Sequence, residues 1–173
     1  MKKFLFLLSL ISLNSHAAFT FDLTDPNNLK LADAFPSYEL LRIVDFSDTQ
    51  SGRSLVAFKA DKNSENWDSI FSADISSTKD GKQKLYIYLA KTCNDKDIIE
   101  ETVVKTNGQN VRYHSFCNGS NIYLTPYSKA GDNFLVDQFK KKNIVKFEFS
   151  DISLIFDAKG FTKAWNSYGG DAL

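Results

Sequence analysis

Apolar and polar side chains alternate along this chain in short bursts, and those bursts place its strands. Leu85-Tyr-Ile-Tyr-Leu-Ala-Lys-Thr-Cys93 and Val111-Arg-Tyr-His-Ser-Phe-Cys117 carry the strongest alternation, followed by Asn121-Ile-Tyr-Leu124. A period of two with β-branched and aromatic enrichment belongs to a half-buried strand. Asp80-Gly81 precedes the first of these stretches, and Asn107-Gly108 and Asn118-Gly119 bracket the second. Such pairs tolerate the positive φ angles of tight hairpin turns, so three of them predict consecutive antiparallel strands. Residues 98–106 are expected to pair through Asn107-Gly108 with 111–117, and these in turn with 121–125.

Weaker bursts extend the pattern in both directions. Phe19, Phe21 and Leu23 alternate over 18–24, and Asp25-Pro26-Asn27-Asn28 is a turn with a proline-set φ and Asx side chains. One or two helical turns over 29–35 stop at Pro36, and strands are predicted over 38–46 and 53–60. The stretch 67–78 reads two ways. Trp67, Ile70, Phe71 and Asp74 fit a helix, but Phe71, Ala73 and Ile75 alternate, and the turn at Lys79-Asp80-Gly81-Lys82 favours a hairpin strand. Leu135 and Phe139 share a helical face in 133–142. Strands follow over 144–149 and 152–156. Phe161, Ala164, Trp165 and Tyr168 recur at helical spacing before Gly169-Gly170. The expected fold is mainly β (α+β): an antiparallel, barrel-like or sandwich-like sheet of about nine strands with two or three short helices. The last helix is expected to plug one end or cross an open face.

The first 17 residues follow a different pattern. Met1-Lys2-Lys3, an apolar run over 4–13 and the small residues Ser15 and Ala17 describe an export signal cleaved after Ala17. The run is too short for a bilayer, which takes roughly 20 residues. The organisation expected is therefore a signal peptide over 1–17 and one disulfide-linked β-rich domain over 18–173, periplasmic or secreted. The whole chain balances 21 basic against 21 acidic residues. Loss of Lys2 and Lys3 with the signal leaves the acids slightly in excess, a balance that gives no field for gathering nucleic acid.

An oxidising address bears on Cys93 and Cys117, the two cysteines of the chain. A structural disulfide is the expected arrangement; a reactive thiol beside His114 is the alternative, although their spacing puts the two side chains on opposite faces of a strand. His114 is the one histidine outside the signal, which leaves no imidazole cluster for zinc and no nucleophile elbow for a triad. Glu100 and Glu101 point to opposite faces and do not make a carboxylate pair. Asn94-Asp95-Lys96-Asp97 reads as a solvated turn, not a calcium loop. Lys140-Lys141-Lys142 reads as cations offsetting a helix C-terminus. No catalytic, metal-binding or cofactor-binding residue is assigned.

The remaining chemistry is aromatic. Tyr86 and Tyr88 share the strand face opposite Leu85, Ile87 and Leu89, and Tyr123 can join them as a cross-strand neighbour. Such rings anchor binding surfaces, which makes Tyr86, Tyr88 and Tyr123 the candidate binding residues. The tail Asn133-Phe-Leu-Val-Asp-Gln-Phe-Lys-Lys-Lys-Asn-Ile-Val-Lys-Phe-Glu-Phe, with Phe156-Asp-Ala-Lys-Gly-Phe-Thr-Lys-Ala-Trp165, resembles the end of invasion-associated locus B-like domains. That resemblance covers about the last third and implies a small exported bacterial envelope protein, carrying over no catalytic residue. The function expected is binding of another protein, as an inhibitor, immunity or invasion-associated factor. A small ligand-binding β-barrel or a hydrolase with a dispersed site is the alternative.

Overall fold

The computed structural model describes residues 18–47, 52–93 and 99–169. The export signal, the 94–97 turn and Gly170 lie outside the described residues. Among the described residues, ten strands form one antiparallel sheet: β1 (Phe19–Asp22), β2 (Leu40–Val44), β3 (Arg53–Lys59), β4 (Ser69–Ser77), β5 (Gln83–Thr92), β6 (Ile99–Thr106), β7 (Gln109–Cys117), β8 (Asn121–Pro126), β9 (Ile144–Glu148) and β10 (Ser153–Asp157). Three helices accompany them: α1 (Leu29–Ala34), which continues a 3-10 turn at Pro26–Asn28, α2 (Lys129–Lys141) and α3 (Phe161–Ser167). The ambiguous stretch is a strand, β4, hydrogen-bonded on both sides to β3 and β5.

The strand order is β1-β2-β3-β4-β5-β8-β7-β6-β9-β10. The sheet does not close, but it folds over so that β10 lies against β2, β3 and β4. The architecture is therefore sandwich-like. The run of consecutive antiparallel strands that the turns predict is broken after β5, because β5 and β6 follow each other in the chain without pairing. The chain leaves β5, crosses three positions to β6, and returns through β7 and β8 to dock on β5. Each local hairpin is as the turns predict; the placement of the hairpin group against β5 is not encoded by any turn.

Asn107-Gly108 shows how local and long-range demands coincide. Both residues have positive φ, 45° and 84°, as a two-residue hairpin of this twist requires. The Asn107 side chain also accepts from the Lys146 amide at 2.8 Å and donates to Gln138 Oε1 at 3.0 Å. The turn thereby ties the β6–β7 hairpin to both β9 and α2.

Helix α2 begins at Lys129, six residues before the first buried residue of its apolar face, Leu135. The Ser128 hydroxyl accepts from the Gly131 amide at 3.1 Å and caps the helix, so the helix expected over 133–142 starts four residues earlier. Leu135 and Phe139 are the buried residues of α2. At its far end Lys141 pairs with Asp137 at 2.7 Å and the Lys140 ammonium sits 5.7 Å from the Trp165 ring. Phe161 of α3 packs edge-on to Phe46 and beside Phe139, with centroids 5.0 and 5.2 Å away. Gly160 makes this approach possible. It has φ +80°, and a Cβ there would lie 2.7 Å from the Ser47 amide nitrogen.

Candidate functional site

The inward parity of the central strands is clear from burial. Ala73 and Ile75 of β4, Leu85 and Ile87 of β5, Leu124 of β8 and Tyr113 of β7 are 0–5% exposed. The strand period then sends Ser72, Asp74, Tyr86, Tyr88, Tyr123, Phe116 and His114 to the other face. Register aligns them: Tyr88 lies opposite Ser72 on one side and Tyr123 on the other, and Tyr123 lies opposite Phe116. One row of rings therefore crosses β5, β8 and β7 perpendicular to the strands.

The rings are in contact along this row. Tyr88 and Tyr123 have centroids 5.4 Å apart, Tyr123 and Phe116 stack at 5.7 Å, and Tyr86 meets Phe116 edge-on at 5.9 Å. All four are half-buried. The Tyr88 hydroxyl donates to Asn121 Oδ1 at 3.1 Å, which fixes the ring's tilt. The sequence-predicted residues Tyr86, Tyr88 and Tyr123 are thus brought into one cluster. Phe116 belongs to it as well, a residue that the alternation around Tyr86 and Tyr88 does not single out. The Asn118-Gly119 turn carries the signal, since it places 117 opposite 122 and hence 116 opposite 123.

Polar groups flank the rings on one side. Arg53 Nε donates to Asp74 Oδ1 at 2.5 Å, and the Ser72 hydroxyl donates to Asp74 Oδ2 at 3.0 Å. Burial pushes the Asp74 carboxyl above its ordinary value, opposed by the Arg53 charge and its hydrogen bond and by Ser72. Burial likewise raises Tyr86, aided by Asp132, Asp80 and Tyr168. Tyr123 is raised by burial and then by Asp74 and Tyr88, against Arg53. Both hydroxyls accordingly keep their protons at neutral pH and remain available as donors.

On the other side His114 packs at a tilt against Tyr127, centroids 4.7 Å apart, and the Arg112 guanidinium lies 5.5 Å from the same ring. Arg112 also reaches Glu101 at 3.5 Å. His114 Nδ1 and Thr125 Oγ1, opposite each other in the β7–β8 ladder, are buried and find no partner among the described residues.

Cys93 and Cys117 form the expected disulfide, with Cα atoms 6.0 Å apart, and no cysteine is free. The alternative of a reactive thiol beside His114 falls with that bond. The bridge does not join neighbouring strands, however. Cys93 follows the end of β5 and Cys117 ends β7, with β8 between them. The Cys93 amide donates to the Ser120 carbonyl in the turn that enters β8. The covalent link thus clamps the β5-β8-β7 group that carries the ring row. Among the described residues no three His, Cys, Asp or Glu side chains gather at metal-ligand spacing, and no helix is long and apolar enough to cross a membrane.

The site so defined is a rigid aromatic platform on an open sheet face, edged by a charge pair and by hydroxyl donors. In comparisons with protein-family models, curated proteins and solved structures, this chain finds no match.

Proposed function

We propose that this is an exported bacterial envelope protein that acts by binding another protein through the Tyr86–Tyr88–Phe116–Tyr123 face. The observation that carries this reading is the contact row itself: four half-buried rings on the outer face of three paired strands. Aromatic side chains on a stiff support lose little conformational freedom on association and supply most of the energy at protein interfaces. The disulfide supports the export half of the proposal, since such bonds persist in oxidising compartments. The apolar run and small residues of the first 17 positions agree with that address.

The partner is sought by capture from periplasmic extract, followed by affinity measurements with the isolated partner at two salt concentrations. Tyr88→Ala is expected to weaken association at least about tenfold, with little dependence on salt. Unchanged affinity for Tyr88→Ala, together with binding abolished by moderate salt, would move the interface to the lysines at the end of α2 and overturn the reading.

A further inference from the structure

Three inward-facing stripes of this sandwich lose their cover at the same end. On β4, Ala73 and Ile75 are buried, but Phe71 of the same parity is half-exposed. On β5, Leu85 and Ile87 are buried, but Leu89 is not. The β9–β10 hairpin repeats the pattern: Val145, Phe147, Leu154 and Phe156 are sealed at 0%, while Phe149 and Ile152 at its turn are half-exposed. Topology supplies the cause. β9 pairs with β6 only at Lys105 and Thr106, so the hairpin departs from the sheet there and its tip stands away from the β4–β5 wall.

The resulting groove has a volume of about 530 Å³ and is lined by Phe35, Tyr38, Phe71, Leu89, Phe149 and Ile152. That volume falls in the range of small-molecule sites, roughly 300–1,000 Å³. Its charged lining residues are Lys91 and Asp151. Lys91 follows Leu89 where the β5–β8 register shifts between Leu89 and Thr92 and lines the same groove; its long methylene stem can follow the apolar wall while the ammonium stays at the mouth. Asp151 is held in the hairpin turn, where the Phe149 amide bonds to the Ile152 carbonyl and the Ser150 hydroxyl points to its carboxylate. Its shorter side chain keeps the carboxylate close to that turn, against the Ser150 hydroxyl.

We propose that this groove binds a small single-chain amphiphile of the fatty-acid class, its apolar body between the β4–β5 wall and the β9–β10 tip and its carboxylate at Lys91. The site lies between the layers, on the inner side of β5, the strand whose outer side carries Tyr86 and Tyr88. It is independent of the protein-binding reading.

The test is a fluorescence titration of the purified protein with cis-parinaric acid, in competition with a saturated fatty acid and with an alkylamine of the same length. Saturable binding displaced by the acid is expected. Leu89→Trp, which fills the groove, should weaken binding at least about tenfold, the scale of a lost apolar anchor. Lys91→Glu changes an exposed residue and leaves the core untouched; it should weaken the fatty acid several-fold and favour the amine instead. Tyr88→Ala should bind the probe like the parent, which separates this site from the outer face. No saturable signal, equal displacement by acid and amine, or binding indifferent to Lys91→Glu would each overturn the proposal.

Discussion

The rings of Phe46, Phe139, Phe147, Phe156 and Phe161 are 0–2% exposed, whereas Tyr86, Tyr88, Phe116 and Tyr123 stand half-buried on the other side of the sheet. Both groups are packed at similar centroid distances, 5.0–6.5 Å inside and 5.4–5.9 Å outside. Ring contact therefore does not distinguish them. What differs is what surrounds the contact. The inner rings come from β9, β10, α2, α3 and the segment after β2, so each is enclosed by elements remote in sequence. The outer rings come from β5, β7 and β8 alone and have water on one side. The inner cluster joins elements of both layers, while the outer one leaves apolar ring surface exposed to water.

Truncation of an inner ring tests this difference most severely. Phe139→Ala deletes the ring that touches Phe46, Phe147, Phe156 and Phe161, and should destabilise the protein by about 3–5 kcal/mol in chemical denaturation. A loss below about 1 kcal/mol would mean that the cluster is not the keystone of the fold.

Removal of the disulfide comes next. Cys93 and Cys117 are 24 residues apart in sequence, so replacing both by Ala should cost about 3.5 kcal/mol in the chain-entropy description. The loss should appear in denaturant midpoints of oxidised against reduced protein. Because the bridge clamps β5, β8 and β7, hydrogen exchange should quicken there before it quickens in β2 and β3. Uniform acceleration would contradict the clamp.

Tyr113 sharpens the boundary between the two regions, since it belongs to β7 but faces inward. Its hydroxyl is buried 2.8 Å from Thr106 Oγ1, and burial drives its ionisation far above the ordinary value, only partly offset by that hydrogen bond. A group that holds its proton more tightly when folded contributes stability that is full below about pH 10, the unfolded value, and is lost as pH rises toward the folded one. Stability should therefore fall above about pH 10, and Tyr113→Phe should flatten that fall. At neutral pH the same change should cost about 1 kcal/mol by leaving Thr106 without its partner. An unaltered alkaline limb in Tyr113→Phe would assign the loss to other tyrosines.

The smallest stability effect is expected on the outer face. Tyr88→Ala should change unfolding free energy by no more than about 0.5–1 kcal/mol, read from the same denaturation curves as Phe139→Ala. A loss approaching that of the inner ring would make the outer row structural and remove the contrast on which the binding proposal stands.

Local pattern was enough to place every strand of the described sheet to within a few residues, the parity of β5 included. The reason is physical: a strand's side-chain period is two regardless of its neighbours, and Asn107-Gly108 adopts its turn from its own backbone freedom. The inward stripe of β5 and the outward Tyr86 and Tyr88 follow from that period alone. The pairing of Cys93 with Cys117 has a different source: they are the two cysteines of the chain, so a bond within the chain has no other pair to use.

The tertiary structure decided what period and turns leave free. Hairpin turns set register between β6, β7 and β8, but which outer edge of that group meets β5 depends on burying Leu124 against Ile87, a choice no residue between them encodes. The start of α2 at Lys129 was hidden because Lys129, Ala130 and Gly131 carry no apolar face, and only the Ser128 cap, satisfied in three dimensions, shows it. Phe116 entered the aromatic row through register, not through its own surroundings. The groove at the β9–β10 tip was the least legible of all. Phe71, Leu89, Phe149 and Ile152 each look like core residues in their own segments, and their exposure arises only where the short β6–β9 pairing ends and the two walls part.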